Sequence, residues 1–455
     1  MKKTSNLTPL DQSKATLSSL LQGLHQGTLQ ARVLLDACFD NIGRYDDRAN
    51  QVYTSVFRQT AIAEAEATDV LHKGHVPLGE LAGLPIALKV LFDVAGEVTH
   101  SGSKWWTTQA QKDALIVSRL RRAGAVITGH TNMTEFAYSG VGLNPHYGTP
   151  ANPLAPGRLS GGSSSGAAAA VAQGMAAAAI GTDTGGSVRI PAAFCGLVGF
   201  KPTQKRVPRN GMFPLSDSLD VIGPIARSVD CCDRIDSVLS GEHRPLHHPA
   251  DLRGHRFAVP KNYMMDGVSS DIANAFSRSL RSLQEAGAKI TEVTVPVLDA
   301  VPELMEGGGF TAAESYHLHR DWLQQHGDNY DPRVRTRIER GASLSATDYL
   351  ELLRCRTERK RQADEWLAAF DGLLAPTVPI APPKVEELDA DDDYARLNLL
   401  ILRNPTVANL LDLCAITLPN HSSDELPSGL MLMGRTDSDS HLLGISRAME
   451  QALRF

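Results

Sequence analysis

The chain has 455 residues, 45 basic against 51 acidic for a formal charge of −6, and 42% of its residues are hydrophobic. That length fits one large α/β unit or two to three smaller domains. The mild charge, with no run of five or more like charges, offers no footprint for nucleic acid or an acidic membrane surface. Cysteines at 38, 195, 231, 232, 355 and 414 are too irregular for a disulfide framework and point to a reducing compartment. Lys2 and Lys3 are followed by no apolar core of secretory length, so a cytoplasmic location is expected.

Between Ser13 and Ile42, Leu17, Leu20, Leu21, Leu24, Leu29, Val33, Leu34 and Leu35 recur at helical spacing with a break at Gly27, which predicts two amphipathic helices. Ala61 to Leu71 predicts another, closed near Gly74 and Pro77. The apolar run Leu84 to Phe92 predicts a strand buried on both faces. A helix over Ala114 to Ala123, stopped at Gly124, and a short strand over Ala125 to Thr128 complete an α/β rhythm. Ala167 to Ile180, too short and alanine-rich to span a membrane, predicts a tightly packed buried helix. After Thr203 the signals thin. Strands are expected at Arg256 to Pro260, Lys289 to Val295 and Leu373 to Ala375, with a helix over Ile272 to Ala286 and helical spacing from Val301 to Phe370. Ala381 to Asp393, with Pro382, Pro383, Asp389, Asp391, Asp392 and Asp393, predicts a solvated loop. No internal repeat or flexible linker separates domains.

Lys89 sits inside Ile86-Ala-Leu-Lys-Val-Leu-Phe92. A buried ammonium needs a partner or a lowered pKa, and a neutral lysine can take a proton from a hydroxyl. The alternative is an edge-strand lysine that reaches solvent. Gly161-Gly-Ser-Ser-Ser-Gly166 and Gly181-Thr-Asp-Thr-Gly-Gly-Ser-Val-Arg189 place two serine-bearing glycine turns at the ends of the predicted alanine helix. Gly185 and Gly186 can let backbone N–H groups converge beside the Ser187 hydroxyl, where an oxyanion would be held. Ser164 centres a G-x-S-x-G match, but the preceding Asn152 to Ser160 is turn-rich where a nucleophile elbow needs a strand. Neither phosphate-loop pattern occurs here. His247-His248 and the cysteines lack metal-ligand spacing, so no metal or cofactor is expected and chelators should not inhibit.

Taken together, residues 83 to 203 resemble the amidase signature family. The match rests on Gly83-Leu-Pro-Ile-Ala-Leu-Lys89, Thr131-Asn-Met-Thr-Glu-Phe-Ala137, the Gly-Gly-Ser-Ser run at 161 to 164, and Gly181 to Pro191. Ser163 and Ser187 also stand the family's spacing apart. Weaker echoes at Leu374 to Pro379 and Leu426 to Leu432 extend the resemblance over most of the chain. It implies one three-layer α/β/α domain, 1–455, around a large mixed twisted sheet. N-terminal helices would cover about residues 8–72, the signature core about 80–205, and a helical insertion about 300–370. It further implies Ser187 as nucleophile, Ser163 as a relay serine preceded by a cis peptide, and Lys89 as base, with no histidine required. Thr184, Gly185, Gly186 and Ser187 would supply the oxyanion hole, and Ser164, Asp183 and Arg189 would support it. The expected substrate is a small-molecule amide.

The family usually carries an acidic residue after its lysine, whereas this chain has Val90, with Asp93 the nearest acid. That departure bears on the surroundings of Lys89. Met133, Tyr138 and the region of Tyr316 and His317 are candidates for pocket wall or for packing. Arg337, in Arg337-Ile-Glu-Arg-Gly341, resembles a site that offers an arginine to a substrate carboxylate; the alternative is a solvent-exposed helix arginine. The alternatives are the amidase subunit of a glutamine-dependent tRNA amidotransferase, a non-catalytic relative, and a Ser-His-Asp hydrolase. Against the first, Leu402 stands where that subunit has an aspartate for glutamine's ammonium, and Asp412 replaces a glycine after Asn409-Leu410. No nucleic-acid or membrane partner is expected, and a homodimer is left open.

Overall fold

The structure, a computed structural model, describes residues 15–44, 51–242 and 251–453. Lys2, Lys3, Ser13 and the His247-His248 pair lie outside them. The chain opens with α1 (Leu17–His25), α2 (Ala31–Arg44), β1 (Tyr53–Val56), α3 (Arg58–Lys73) and β2 (Pro85–Lys89). A small hairpin, β3 (Val98–Thr99) and β4 (Thr108–Gln109), precedes α4 (Leu115–Arg122), β5 (Val126–Thr131), α5 (Ser165–Ala172) and β6 (Ala178–Asp183). Then come α6 (Arg189–Phe194), β7 (Val198–Lys201), β8 (Val221–Ala226), α7 (Val229–Ser240), β9 (Arg256–Pro260), α8 (Ser270–Glu285) and β10 (Lys289–Val293). The chain continues through α9 (Gly309–His326), α10 (Pro332–Glu339), α11 (Ala346–Leu367), β11 (Gly372–Pro376), α12 (Asp391–Leu410), β12 (Cys414–Pro419), β13 (Gly429–Gly434) and α13 (Asp439–Ala452).

Eleven of these strands form one mixed sheet, ordered β1-β5-β2-β6-β8-β7-β12-β13-β11-β9-β10. Two parallel groups, β5-β2-β6 and β11-β9-β10, flank an antiparallel middle. Alternation along the strands sends side chains to two faces. Leu373 and Ala375 of β11 and Met431 and Met433 of β13 join one hydrophobic cluster, whereas Leu374, Leu430 and Leu432 join the other. Helices cover both clusters, which makes the α/β class and layered architecture anticipated above. Among the described residues no helix is long and apolar enough to cross a membrane.

Local sequence explains several element ends. Leu17, Leu20, Leu21 and Leu24 bury one stripe of α1, and the Thr16 side chain accepts from Ser19 N at its start. Strand β2 stops at Lys89, earlier than its buried apolar stretch, because the chain turns there with Leu91 N and Phe92 N both donating to Lys89 O. The expected helix over Ala167 to Ile180 is corrected: α5 ends at Ala172, and Ala178 onward is strand β6. Gly174, at φ 72°, closes the helix with Met175 N donating back to Ala170 O. The solvated-loop expectation is corrected in part, because Asp391, Asp392 and Asp393 form the first turn of α12, where carboxylates favour the helix dipole.

The start of α5 packs against neighbouring backbone. Gly166 N donates to Asn132 O, and a Cβ at Gly166 would stand 2.4 Å from Val52 O and 2.6 Å from Asn132 N. Gly166→Ala is therefore expected to cost about 1–3 kcal/mol through forced backbone shifts. A thermal melt reads this as a lowered Tm, and a wild-type Tm would contradict the packing.

Candidate active site

Parallel pairing of β2 with β6 sets Leu88 beside Ile180, so their following residues emerge together at the same end of the sheet. Lys89, last in β2, is completely buried. Its Nζ donates to Ser163 Oγ at 2.7 Å and to Thr182 Oγ1 at 2.8 Å. Desolvation pushes its pKa down to about 7, with the Asp220 and Asp183 carboxylates opposing the shift. Val90 is buried core, and Asp93 instead accepts from Thr99 Oγ1 at 2.8 Å. The acids that act on Lys89 are therefore Asp220 and Asp183, which no position adjacent to the lysine could reveal.

Ser163 is buried and follows a cis peptide bond from Gly162. Its carbonyl accepts from Thr134 N. Ser164 N donates to Ser187 O at 3.3 Å, and Ser164 Oγ to Thr182 O at 3.3 Å, tying the two serine turns together. Ser187 lines a cavity that opens to solvent. Among the described residues no side-chain hydrogen bond is made by the Ser187 hydroxyl, to Ser163 or to any other group.

The loop that presents Ser187 is wrapped around one carboxylate. Asp183 Oδ1 accepts from Gly186 N at 2.8 Å and Asp183 Oδ2 from Val188 N at 3.1 Å. Arg189, fully buried, donates Nε to Oδ2 at 3.0 Å and Nη2 to Oδ1 at 2.8 Å. Burial raises the Asp183 pKa, but the Arg189 charge and hydrogen bonds, with Lys201 and Asn409, outweigh it and hold the carboxyl at about 2. Gly186 N–H is thus committed to Asp183, while the N–H groups of Thr184, Gly185 and Ser187 have no protein acceptor among the described residues.

Three residues missed from the sequence complete the frame. Asp220 Oδ1 accepts from Thr184 Oγ1 at 2.6 Å, and Oδ2 from Leu215 N and Ser216 N; burial nonetheless raises its pKa to about 6. From α12, Asn409 Nδ2 donates to Asp183 O and Oδ1, both at 2.9 Å, and its Oδ1 accepts from Arg189 at 2.7 Å. Thr406 Oγ1 donates to Gly185 O at 3.2 Å. Positions 402, 406 and 409 share one helical face, a signal readable only once α12 is recognised as a helix.

The substrate-side candidates divide. Tyr138, Arg337 and Leu402 line the cavity, whereas Met133 is fully buried in the core and does not, and neither do Tyr316 and His317. Arg337 Nη1 donates to Tyr138 O at 2.9 Å, and its guanidinium lies 4.5 Å above the Tyr138 ring. Arg340, also unanticipated, lines the same cavity. Among the described residues neither arginine pairs with a carboxylate, and no histidine lines the cavity.

This scaffold and loop define an α/β enzyme. Residues 33–443 match the Amidase family, and the chain belongs to that family of hydrolases acting on carbon–nitrogen bonds. It is 35% identical over 441 residues to 2-amino-5-chloromuconic acid deaminase of Comamonas testosteroni, covering 94% of each chain. It is 32% identical over 470 residues to a glutamyl-tRNA(Gln) amidotransferase subunit of Chromohalobacter salexigens, covering 96% of each. A crystal structure of an amidase superposes with a TM-score of 0.88 at 32% identity, over 96% of this chain and 100% of that one.

Removing Arg189 would leave Asp183 charged, buried and unpaired. Arg189→Ala is expected to destabilise by about 3–5 kcal/mol, and Asp183→Asn/Arg189→Met by less, as read from urea midpoints. An unchanged midpoint in Arg189→Ala would contradict this account of the loop.

Proposed function

We propose that this chain hydrolyses a carboxylic amide through an acyl-enzyme on Ser187. The observation that carries the reading is a completely buried lysine, its pKa depressed to about 7, hydrogen-bonded to a serine next to the loop that presents Ser187 to the cavity. A neutral Lys89 has a lone pair. When the Ser163 hydroxyl turns toward it, Nζ takes the Ser163 proton and Ser163 takes that of Ser187 as Ser187 Oγ attacks the amide carbon. The chain of transfers then reverses, the leaving amine receives the proton, and water repeats the cycle on the acyl-enzyme. The uncommitted N–H groups of Thr184, Gly185 and Ser187 hold the oxyanion, and the loss of one such donor typically costs about 2.7–4 kcal/mol.

We further propose that the chain works as one domain, since one sheet takes strands from Tyr53–Val56 through Gly429–Gly434. Its six free cysteines suit a reducing cytoplasm. An amidotransferase subunit would need an anion for glutamine's ammonium, and the aligned Leu402 presents hydrocarbon to the cavity. Among the described residues no histidine stands on that wall to serve a Ser-His-Asp mechanism.

Arg337 and Arg340, on the cavity wall without carboxylate partners among the described residues, support an amide that carries a carboxylate away from the scissile bond. The Comamonas relative's name, which specifies an acid, accords with this. In a panel of paired amides with and without that carboxylate, Arg337→Ala should raise KM about tenfold or more for the acidic members only. Equal effects on both sets would refute the assignment.

A fluorophosphonate probe should label wild-type protein at Ser187 and leave Ser187→Ala unlabelled. Lys89→Ala should lose about 10²–10⁴-fold in rate. Folded wild-type protein that resists the probe would instead indicate a non-catalytic relative, and ammonia release from free glutamine alone would favour the amidotransferase subunit.

A further inference from the structure

Outside the catalytic cavity, three side chains from distant parts of the sequence meet at one end of the sheet. Parallel neighbours β9 and β11 are joined there by Asp371 N donating to Arg256 O at 2.7 Å, which sets Asp371 beside His255. The first turn of α13 brings His441 over both. His255 Nδ1 and His441 Nε2 each lie 3.2 Å from the same oxygen, Asp371 Oδ1. Each of the three residues offers a ligand atom, and all three atoms lie within 4.8 Å of one another. The other carboxylate oxygen, Oδ2, is held at 2.8 Å by Arg256 N, which fixes the direction of Oδ1.

Tetrahedral zinc, with bonds of about 2.0–2.1 Å, has ligand atoms about 3.3 Å apart. Two edges of this triangle already have nearly that length. The third edge is within 4.8 Å, and His441, half-exposed on the helix surface, has room to turn and shorten it. Each neutral imidazole can keep its proton on the nitrogen that faces away and give its lone pair to the metal, so the donor set is two imidazole nitrogens and one carboxylate oxygen. That set suits zinc and its late first-row neighbours, unlike the all-oxygen shells of calcium and magnesium. The backbone hydrogen bond to Oδ2 is the kind of outer contact that orients a ligand.

We propose that His255 Nδ1, Asp371 Oδ1 and His441 Nε2 bind one zinc-class divalent cation, which ties the β9–β11 end of the sheet to α13. Water completes the coordination on the exposed side. None of the three residues lines the catalytic cavity, so the ion acts on stability and takes no part in hydrolysis. Sequence spacing could not find it, because the ligands come from two strand ends and a helix.

The test uses chelator-stripped full-length protein titrated with zinc chloride by calorimetry, and with cobalt(II) chloride by visible absorbance. One equivalent of zinc should bind, Tm should rise, and amide hydrolysis should be the same with and without chelator. His441→Ala should weaken zinc binding by about tenfold or more and abolish the cobalt band. His255→Ala and Asp371→Asn should do likewise, while His247→Ala/His248→Ala should bind as wild type. If a strand-end variant fails to fold, the half-exposed His441 decides alone. Binding below one equivalent, equal affinity in His441→Ala and wild type, or binding lost with His247 and His248 would overturn the proposal.

Discussion

An ammonium ion cannot sit in a dry protein interior without compensation, and Lys89 is completely buried at the end of a central strand. The fold answers with hydroxyls more than with charge. Nζ meets Ser163 and Thr182, and desolvation carries the pKa toward neutrality. A carboxylate in direct contact would have stabilised the ammonium and worked against a base. The two nearby acids are occupied elsewhere, Asp183 by Arg189 and Asp220 by Thr184 and two backbone amides. The surroundings therefore oppose the shift of Lys89 without cancelling it.

That arrangement requires the serine loop to be rigid independently of the lysine. Asp183 serves as the hub, taking backbone N–H groups from the loop, a bidentate guanidinium from α6 and an amide from α12. Because α12 also places Leu402 and Thr406 on the same loop, one helix couples the loop's framework to the cavity wall. Cavity wall and loop geometry are therefore linked through that helix.

Legibility in the sequence follows the range of the physical signal. β2, β5 and the N-terminal helices show periodic or continuous apolar patterns and are readable within a few residues. The central strands are not: β8 reads Val221-Ile-Gly-Pro-Ile-Ala226, and its Gly223 and Pro224 resemble a breaker although the strand is fully buried. The alanine run reads as one helix because alanine fits a helix and a buried strand alike, with Gly174 the only local mark of the boundary. For the site, short motifs reach Lys89, Ser163, Ser164, Asp183, Ser187 and Arg189. Asp220 acts from a distant loop, and no local pattern announces such a contact; Asn409 and Arg340 stand in short segments noted for other reasons, Asn409-Leu410 and Arg337 to Gly341, and only the fold brings them to the site. Met133 lies in a signature motif yet serves the core, since β5 ends just before it and directs it inward.

The central claim is that a buried, neutral lysine starts the proton relay. Its most direct test is the pre-steady-state rate of acyl-enzyme formation as a function of pH. A lysine held near 7 must lose its proton before it can accept another. The acylation rate should therefore climb from pH 6, turn over near pH 7 and level off above pH 8, with that titration absent from the residual rate of Lys89→Ala. A profile that stays flat from pH 6 to 9, or a wild-type titration retained in Lys89→Ala, would contradict the account.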